Sequence, residues 1–240
     1  SVTKTLKRSS ALSRTNPDDL YALQMALDLK RDTAAEVVAV SMGPASTETV
    51  LREALQRGAD RAILLSSPAF AGSDTWCTSF ILSAVVRKIG NYDMLFFGRM
   101  AIDGDTAQVG PEVAGQLDIP QITQLESIES LNDETVTITK KAGNIRQKLQ
   151  VTLPCALMVS KECTVLEYPT LEGWRKGQAQ EIICWNEKDL ELNSNKVGLY
   201  ASPTKVVATN VPQNKKNIQW LQDNNAFCQI VHTCIYPQNK

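Results

Sequence analysis

The sequence predicts an α/β fold around a parallel sheet, with an antiparallel hairpin and a long C-terminal arm, and three observations lead there. Short apolar runs at 36–41, 62–65 and 94–97 read as strands buried on both faces. Segments with apolar residues at helical spacing and recognisable caps lie between them. After residue 117 the rhythm changes to strict polar–apolar alternation, the mark of an antiparallel pair with one solvated face. Strands alternating with helices form βαβ units with right-handed crossovers.

Taken in order, residues 1–15 are basic and polar and read as a loop or the remnant of a hairpin. Asn16-Pro17-Asp18-Asp19 then opens a helix: Asn at the N-cap, Pro at the first helical position, two acids in the first turn. Leu20, Leu23 and Leu27 supply its stripe, which ends near Lys30. The strand at 36–41 stops at Met42-Gly43-Pro44. Ser46 or Thr47 caps a second helix carrying Val50, Leu51, Ala54 and Leu55, and Gly58 closes it. A third helix runs through Ile81, Leu82, Val85, Val86 and Ile89 to the strand at 94–97.

Gly98 ends that strand, a polar loop runs from Arg99 to Asp105, and Val109, Val113 and Leu117 then share one helix face. Asp105 is the expected N-cap, with Thr106, Ala107 and Gln108 in the first turn. A strand–glycine loop–helix junction offers unpaired backbone N–H groups and a positive dipole end, which is how many proteins hold phosphate. Gly and Asp also serve plain turn and cap chemistry, and Asp103 and Asp105 would repel an anion unless they turn towards amides. Both readings stand on the residues alone. Further on, Thr135–Thr139 and Ile145–Val151 form the hairpin around Ala142-Gly143-Asn144, and Cys155–Val159 is another buried strand. No sustained helix is expected from Cys163 to Leu199, a stretch too long to be loop inside a compact domain and therefore read as an arm on a partner. The expected division is 1–162 for the α/β domain and 163–240 for docking loop and arm.

Composition narrows the classes. Twenty-five basic against 26 acidic residues give a net charge of −1, which excludes a general nucleic-acid or membrane-surface protein. No apolar run could span a bilayer and no signal-peptide pattern opens the sequence. Six scattered cysteines without a Cys-x-x-Cys, and a single histidine, argue against zinc and for thiols in a reducing compartment. Cys228, His232 and Cys234 are close in sequence, but such a trio near a C-terminus is ordinarily packing.

Ala101-Ile102-Asp103-Gly104-Asp105-Thr106-Ala107-Gln108-Val109-Gly110-Pro111, followed by Ile119-Pro120-Gln121, resembles the signature region of the electron-transferring flavoprotein beta subunit. Asn16–Asp19, Val40-Ser41-Met42-Gly43-Pro44-Ala45, Gly58-Ala59-Asp60-Arg61-Ala62, Tyr168-Pro169-Thr170-Leu171 and Ser202-Pro203-Thr204-Lys205-Val206 are similar to further family segments. The resemblance implies an adenine nucleotide alpha hydrolase-like domain whose arm embraces an alpha subunit. It implies a heterodimer in which an electron-transferring FAD lies mainly in the alpha subunit while the beta subunit buries AMP or, in flavin-bifurcating members, a second FAD. By the same resemblance the nucleotide contacts fall on Asn16, Pro17, Asp18, Asp19, Met42, Gly98, Arg99, Met100, Ala101, Ile102, Asp103, Gly104, Asp105, Thr106, Ala107, Gln108 and Val109. Leu171 becomes the anchor that docks on an acyl-CoA dehydrogenase-like or other flavoprotein, and a bacterial cytoplasm is favoured over a mitochondrial matrix. The form Asp103–Gln108 is similar to bifurcating, anaerobic members, which favours a second FAD over AMP.

Two departures bear on this. The family begins with a strand of the Val-Lys-Gln-Val-Pro type; this sequence starts after it, and a preceding strand is expected because an interior gap would leave ladder groups unpaired. Glu172-Gly173-Trp174-Arg175-Lys176 replaces a lysine-rich continuation, which leaves the electron partner open. The alternatives are a nucleotide-hydrolysing or adenylylating enzyme and an AMP-binding regulatory module. The first lacks a Gly-x-x-x-x-Gly-Lys-[Ser/Thr] loop and has only His232 for imidazole acid–base work.

Overall fold

The apolar runs pair into two sheets. The structure is a computed structural model and describes residues 14–161, 163–206 and 227–228. Strands β1 (Val38–Met42), β2 (Arg61–Leu65) and β8 (Ile183–Trp185) form a parallel sheet in the order β1-β2-β8. Strands β3 (Met94–Gly98), β4 (Gln121–Leu131), β5 (Thr135–Ala142), β6 (Ile145–Thr152) and β7 (Cys155–Val159) form a mixed sheet in the order β3-β7-β4-β5-β6.

Helices cover both faces of the mixed sheet's parallel part, which is why its central strand is apolar throughout. β7 is wholly buried; Cys155, Leu157 and Val159 meet Ala22 and Met25 of α1 (Pro17–Thr33), while Ala156 and Met158 face Ala114 of α4 (Val109–Leu117). α2 (Glu48–Arg57) packs Leu51 and Leu55 on Ala62 and Leu64, and α3 (Thr75–Ile89) packs Ile81 and Val85 on Ile63 and Leu65. The hairpin is as expected, with Thr135 opposite Thr152 and Ala142 opposite Ile145. Met42 ends β1, and its side chain packs in the apolar cluster around Ile63 and Phe70.

β1 and β3 carry apolar residues on both faces, the pattern of interior strands, yet each is the outer strand of its sheet and only half buried. Each ladder therefore has an open side among the described residues.

Three expectations need correction. Helix α4 starts at Val109, with Gln108 at its N-cap; Asp105 does not cap it. Asp105 and Ala107 both adopt φ of 54°, left-handed backbone that no helical turn tolerates. The stretch after Cys163 contains a nine-residue helix, α5 (Leu171–Ala179), then β8 and the short α6 (Gly198–Ala201). Ile182, Ile183 and Trp185 pack inside this chain, against Val37-side and Ile63-side clusters, rather than waiting for a partner. The compact unit accordingly extends to Lys205, past the expected boundary at 162. Residues 1–13, where the opening loop was expected, and Cys234 and His232 lie outside the described residues.

Candidate functional site

The first turn of α1 is clamped to the end of β3 by side chains that helix-start rules alone would assign to capping. The Asn16 side chain makes no cap bond. Its Nδ2 donates to the Met100 carbonyl (3.0 Å) and to Asp19 Oδ2 (3.0 Å). Asp19 Oδ1 accepts from the Gly98 amide at 2.8 Å. Asp18, 5% exposed, pairs with Arg99 Nε at 3.3 Å. Asn16, Asp18 and Asp19 at α1's head and Gly98, Arg99 and Met100 at the end of β3 thus form one polar cluster outside the carboxyl ends of parallel strands, where open α/β sheets bind ligands.

Gly98 is where this clamp requires glycine. A Cβ there would lie 2.6 Å from the Asp18 carbonyl carbon and from the Asp19 amide nitrogen. Only a residue without a side chain lets the strand end reach the helix start. Gly110 plays the same part on the other face, its Cα side against Met158 and Phe97, bringing α4 close to the sheet.

Desolvation raises the Asp19 pKa above the ordinary carboxylate value, against bonds from Asn16 and the Gly98 amide, and nearby Asp18 adds to the rise.

Two buried oxygens here have no partner among the described residues: Asn16 Oδ1 in the clamp and Glu112 Oε2 in the first turn of α4. An unpaired buried acceptor costs about 1–3 kcal/mol, so Asn16 Oδ1 calls for a donor such as a ribose hydroxyl or exocyclic amine. Beyond the clamp, Ala101 to Gln108 is exposed throughout. Asp105 N–H is satisfied by the Ala101 carbonyl (2.8 Å), whereas the amides of Gly104, Thr106, Ala107 and Gln108 have no backbone acceptor among the described residues. Left-handed backbone at Asp105 and Ala107 turns successive N–H groups to the same side, a concavity suited to an anion. A cavity opens beside Arg99 at the end of β7 and the middle of β4, lined by Lys141, Arg146 and Lys161 against Glu126.

The structure therefore brings Asn16 to Asp19 together with Gly98 to Met100, and continues them into the exposed loop Ala101–Gln108 and Val109. Met42 is on the other sheet with its side chain in the core. The Arg99–Asp18 pair is not legible in the sequence, because 81 positions separate the partners.

Leu171 opens α5 and is 68% exposed; Tyr168 and Trp174 beside it are also exposed. The sequence reading singled out Leu171 alone, and the unusual aromatic at 174 was the available signal for the rest.

The electron transfer flavoprotein domain family matches residues 3–188 of the chain. The electron transfer flavoprotein subunit beta of Thermoanaerobacterium thermosaccharolyticum is 43% identical over 216 residues, covering 90% of this chain and 82% of that protein. Subunit CarD of the caffeyl-CoA reductase-Etf complex of Acetobacterium woodii is 39% identical, over 89% of this chain and 81% of its own. The acryloyl-CoA reductase electron transfer subunit gamma of Anaerotignum propionicum is 38% identical, over 88% and 81%.

Proposed function

The chain belongs to the electron transfer flavoprotein domain family, as a relative of its beta subunits, and on that premise we propose that it works as the beta subunit of an electron-carrying heterodimer. It pairs with an alpha subunit, holds an adenine nucleotide at the α1–β3 clamp, and passes electrons between a dehydrogenase or NADH and an acceptor flavoprotein. The single observation behind the nucleotide site is the clamp itself: a buried Asn16 Oδ1 without a partner among the described residues, next to a loop whose amides have no backbone acceptor among them. Those groups fit the sugar and phosphates of AMP or of the adenine half of FAD. Gly104, Thr106 and Gln108 contribute backbone amides, Thr106 its hydroxyl, and Arg99 its charge. Asp103 and Asp105 are exposed like the rest of the loop and would have to turn away from the phosphates.

A bound flavin supplies the electron chemistry. This chain's residues position the nucleotide, shield its sugar from water and balance phosphate charge. The subunit is an electron carrier with no catalytic side chain of its own. A second FAD is preferred to AMP because Asp103–Gln108 is similar to the version in bifurcating relatives, and one relative belongs to the caffeyl-CoA reductase-Etf complex. No helix among the described residues is long and apolar enough to cross a membrane, and a bacterial cytoplasm is the proposed location.

The test is to co-express the chain with an alpha subunit, release the nucleotides with acid, and count them. Two FAD per heterodimer is the expected result. One FAD with one AMP would overturn the bifurcating choice and keep the site; one FAD with no second nucleotide would overturn the site.

A further inference from the structure

The cavity beside Arg99 gathers cations from four separate stretches of chain. Arg99 follows β3, Lys141 lies near the end of β5, Arg146 near the start of β6, and Lys161 follows β7. Among the described residues that line it, Glu126 is the one carboxylate, and its Oε2 accepts from Arg146 Nε at 2.6 Å. Lys141 stands directly opposite Arg146 in the hairpin. Like charges facing each other across a strand pair repel and weaken the sheet. Neither Lys141 nor Lys161 makes an ion pair among the described residues. The whole chain carries a net charge of −1, so this excess of cations is local.

The concave shape comes from β4. A register shift between Ile122 and Leu125, with Gln124 at φ of 59°, bends the strand. Ser160 fastens the bend: its amide donates to the Leu125 carbonyl at 2.8 Å and its hydroxyl to Gln124 Oε1 at 3.3 Å. The space measures about 420 Å³, within the range of small-molecule sites. Its walls select the ligand class. Apart from Cys163, every lining residue carries a charge, a hydroxyl or an amide, so a flavin ring or an aliphatic chain would find no apolar wall. A cleft lined by one sign of charge concentrates the opposite ion. Four cations against one carboxylate match a multiply charged anion, and guanidinium and ammonium groups both bind phosphate oxygens. Arg99 commits its Nε to Asp18 at 3.3 Å, while its terminal nitrogens make no hydrogen bond among the described residues.

We propose that this cavity is an anion site for a phosphate group, held by Lys141, Lys161, Arg146 and the terminal nitrogens of Arg99, with Glu126 moderating its strength through Arg146. The inference stands without the nucleotide reading of the clamp, although Arg99 borders both places.

The test titrates the co-expressed heterodimer, in phosphate-free buffer at fixed ionic strength, with inorganic phosphate and with pyrophosphate by calorimetry. One saturable anion per heterodimer is expected, bound more weakly as salt rises. Lys141→Gln and Lys161→Gln, both at exposed positions, should each weaken it about tenfold at unchanged melting temperature. Glu126→Gln should tighten it roughly threefold, a direction that mere loss of packing would not produce. Saturating AMP identifies the source. Binding that persists makes the phosphate a separate ligand. Binding that vanishes makes it a phosphate of the clamp's own nucleotide, and Lys141→Gln then lowers AMP affinity by the same factor; the site is upheld in both cases. No saturable binding to the unaltered heterodimer, as when an acidic segment of the alpha subunit fills the cavity, overturns the proposal. So does binding that both lysine variants leave within twofold, or that Glu126→Gln weakens. None of these failures touches the clamp, which the count of released nucleotides tests by itself.

Discussion

Replacing Gly98 by alanine should loosen the nucleotide site from within. The added Cβ would meet the Asp18 carbonyl carbon and Asp19 amide nitrogen at 2.6 Å, and both are backbone atoms of a helix start that cannot rotate aside. Overpacking of this kind costs roughly 1–3 kcal/mol. Relief requires the head of α1 to move off the strand, which stretches the 2.8 Å bond from the Gly98 amide to Asp19. A bond to a partly solvated carboxylate contributes about 1 kcal/mol. The combined loss is about 3 kcal/mol, and for a domain of this size that lowers Tm by roughly 6–12 °C. The retreat also pulls Asn16 from the Met100 carbonyl, so nucleotide retained through purification should fall together with Tm. Gly115→Ala is the control: its Cβ would meet nothing within 4 Å and it lies outside the proposed site, so neither Tm nor nucleotide content should fall. Thermal melting of both heterodimers, with nucleotide counts on the same samples, decides the matter. A Gly98→Ala protein that melts within 2 °C of the unaltered one and keeps its nucleotides would refute the clamp.

Asn16→Ala should lower nucleotide affinity about tenfold by removing the unpaired acceptor, with a small loss of stability; isothermal titration of the stripped heterodimer with AMP reads it, and unchanged affinity would count against Asn16 as a ligand group. Asp74 caps α3 through the Cys77 amide (3.0 Å) and holds Thr204 N–H at 2.9 Å, so Asp74→Ala should cost about 1–2 kcal/mol and speed proteolysis after Ala201. Burial pushes the Asp74 carboxyl up, but the bonds from Cys77, Thr204 and Ser202 outweigh it and its pKa is lowered; its stabilisation is therefore present above the ordinary carboxylate value and lost as pH falls through the lowered one, and Asp74→Ala should flatten that acid limb of a urea-midpoint profile. Burial holds the Cys155 thiol up at about 11 against an ordinary 9.0, so its stabilising effect is full below pH 9 and lost between 9 and 11; Cys155→Val should remove roughly 2–3 kcal/mol of alkaline loss, and an unchanged alkaline midpoint would contradict it.

What the sequence revealed and what it hid divides along a physical line. β7 was legible because burial on both faces demands five apolar residues in a row. Asn16 and Pro17 marked the start of α1 through local chemistry, and the residues do stand at N-cap and N1. The same local rule failed at Asp105, because a good cap residue is also one that tolerates left-handed backbone, and here the second property prevails. Helix α5 was hidden by its glycines, each costing about 1 kcal/mol of helix propensity. Their use is tertiary: they admit the backbone of Gln56, which no periodicity displays. β4 was missed for a related reason. A register shift between Ile122 and Leu125, with Gln124 at φ of 59°, breaks the alternation that would have announced it. The nucleotide clamp combines both situations, since its glycine and asparagine are visible motifs while the bonds joining them span about eighty positions.

Helix α1 gives these features a common frame. Its first turn carries the clamp on β3 through Asn16 and Asp19. Its later turns present Gln24, Asp28 and Arg31 at helical spacing along one side, and these hold Glu167 and Thr164, the segment that leads to Tyr168 and α5. At the same end Lys30 bonds to the Gly58 carbonyl at 3.0 Å and to Asp60 at 2.6 Å, tying the helix to the start of β2. Seventeen residues at 1.5 Å rise make this a rod of about 25 Å, rigid because Ala22, Met25 and Leu27 are buried along it. The clamp and the tether of the segment before α5 therefore sit on one element. A displacement at the clamp that tilts α1 would bear on Thr164 and Glu167 through three side-chain links. Yet the links are exposed or half-exposed polar bonds, so they place the segment before α5 without locking it to the clamp. The firmer hold on α5 is the backbone contact at Gln56, which belongs to α2 and does not touch the clamp. The mount of α5 is thus largely independent of the α1–β3 clamp, and a change at the clamp should leave α5 in place.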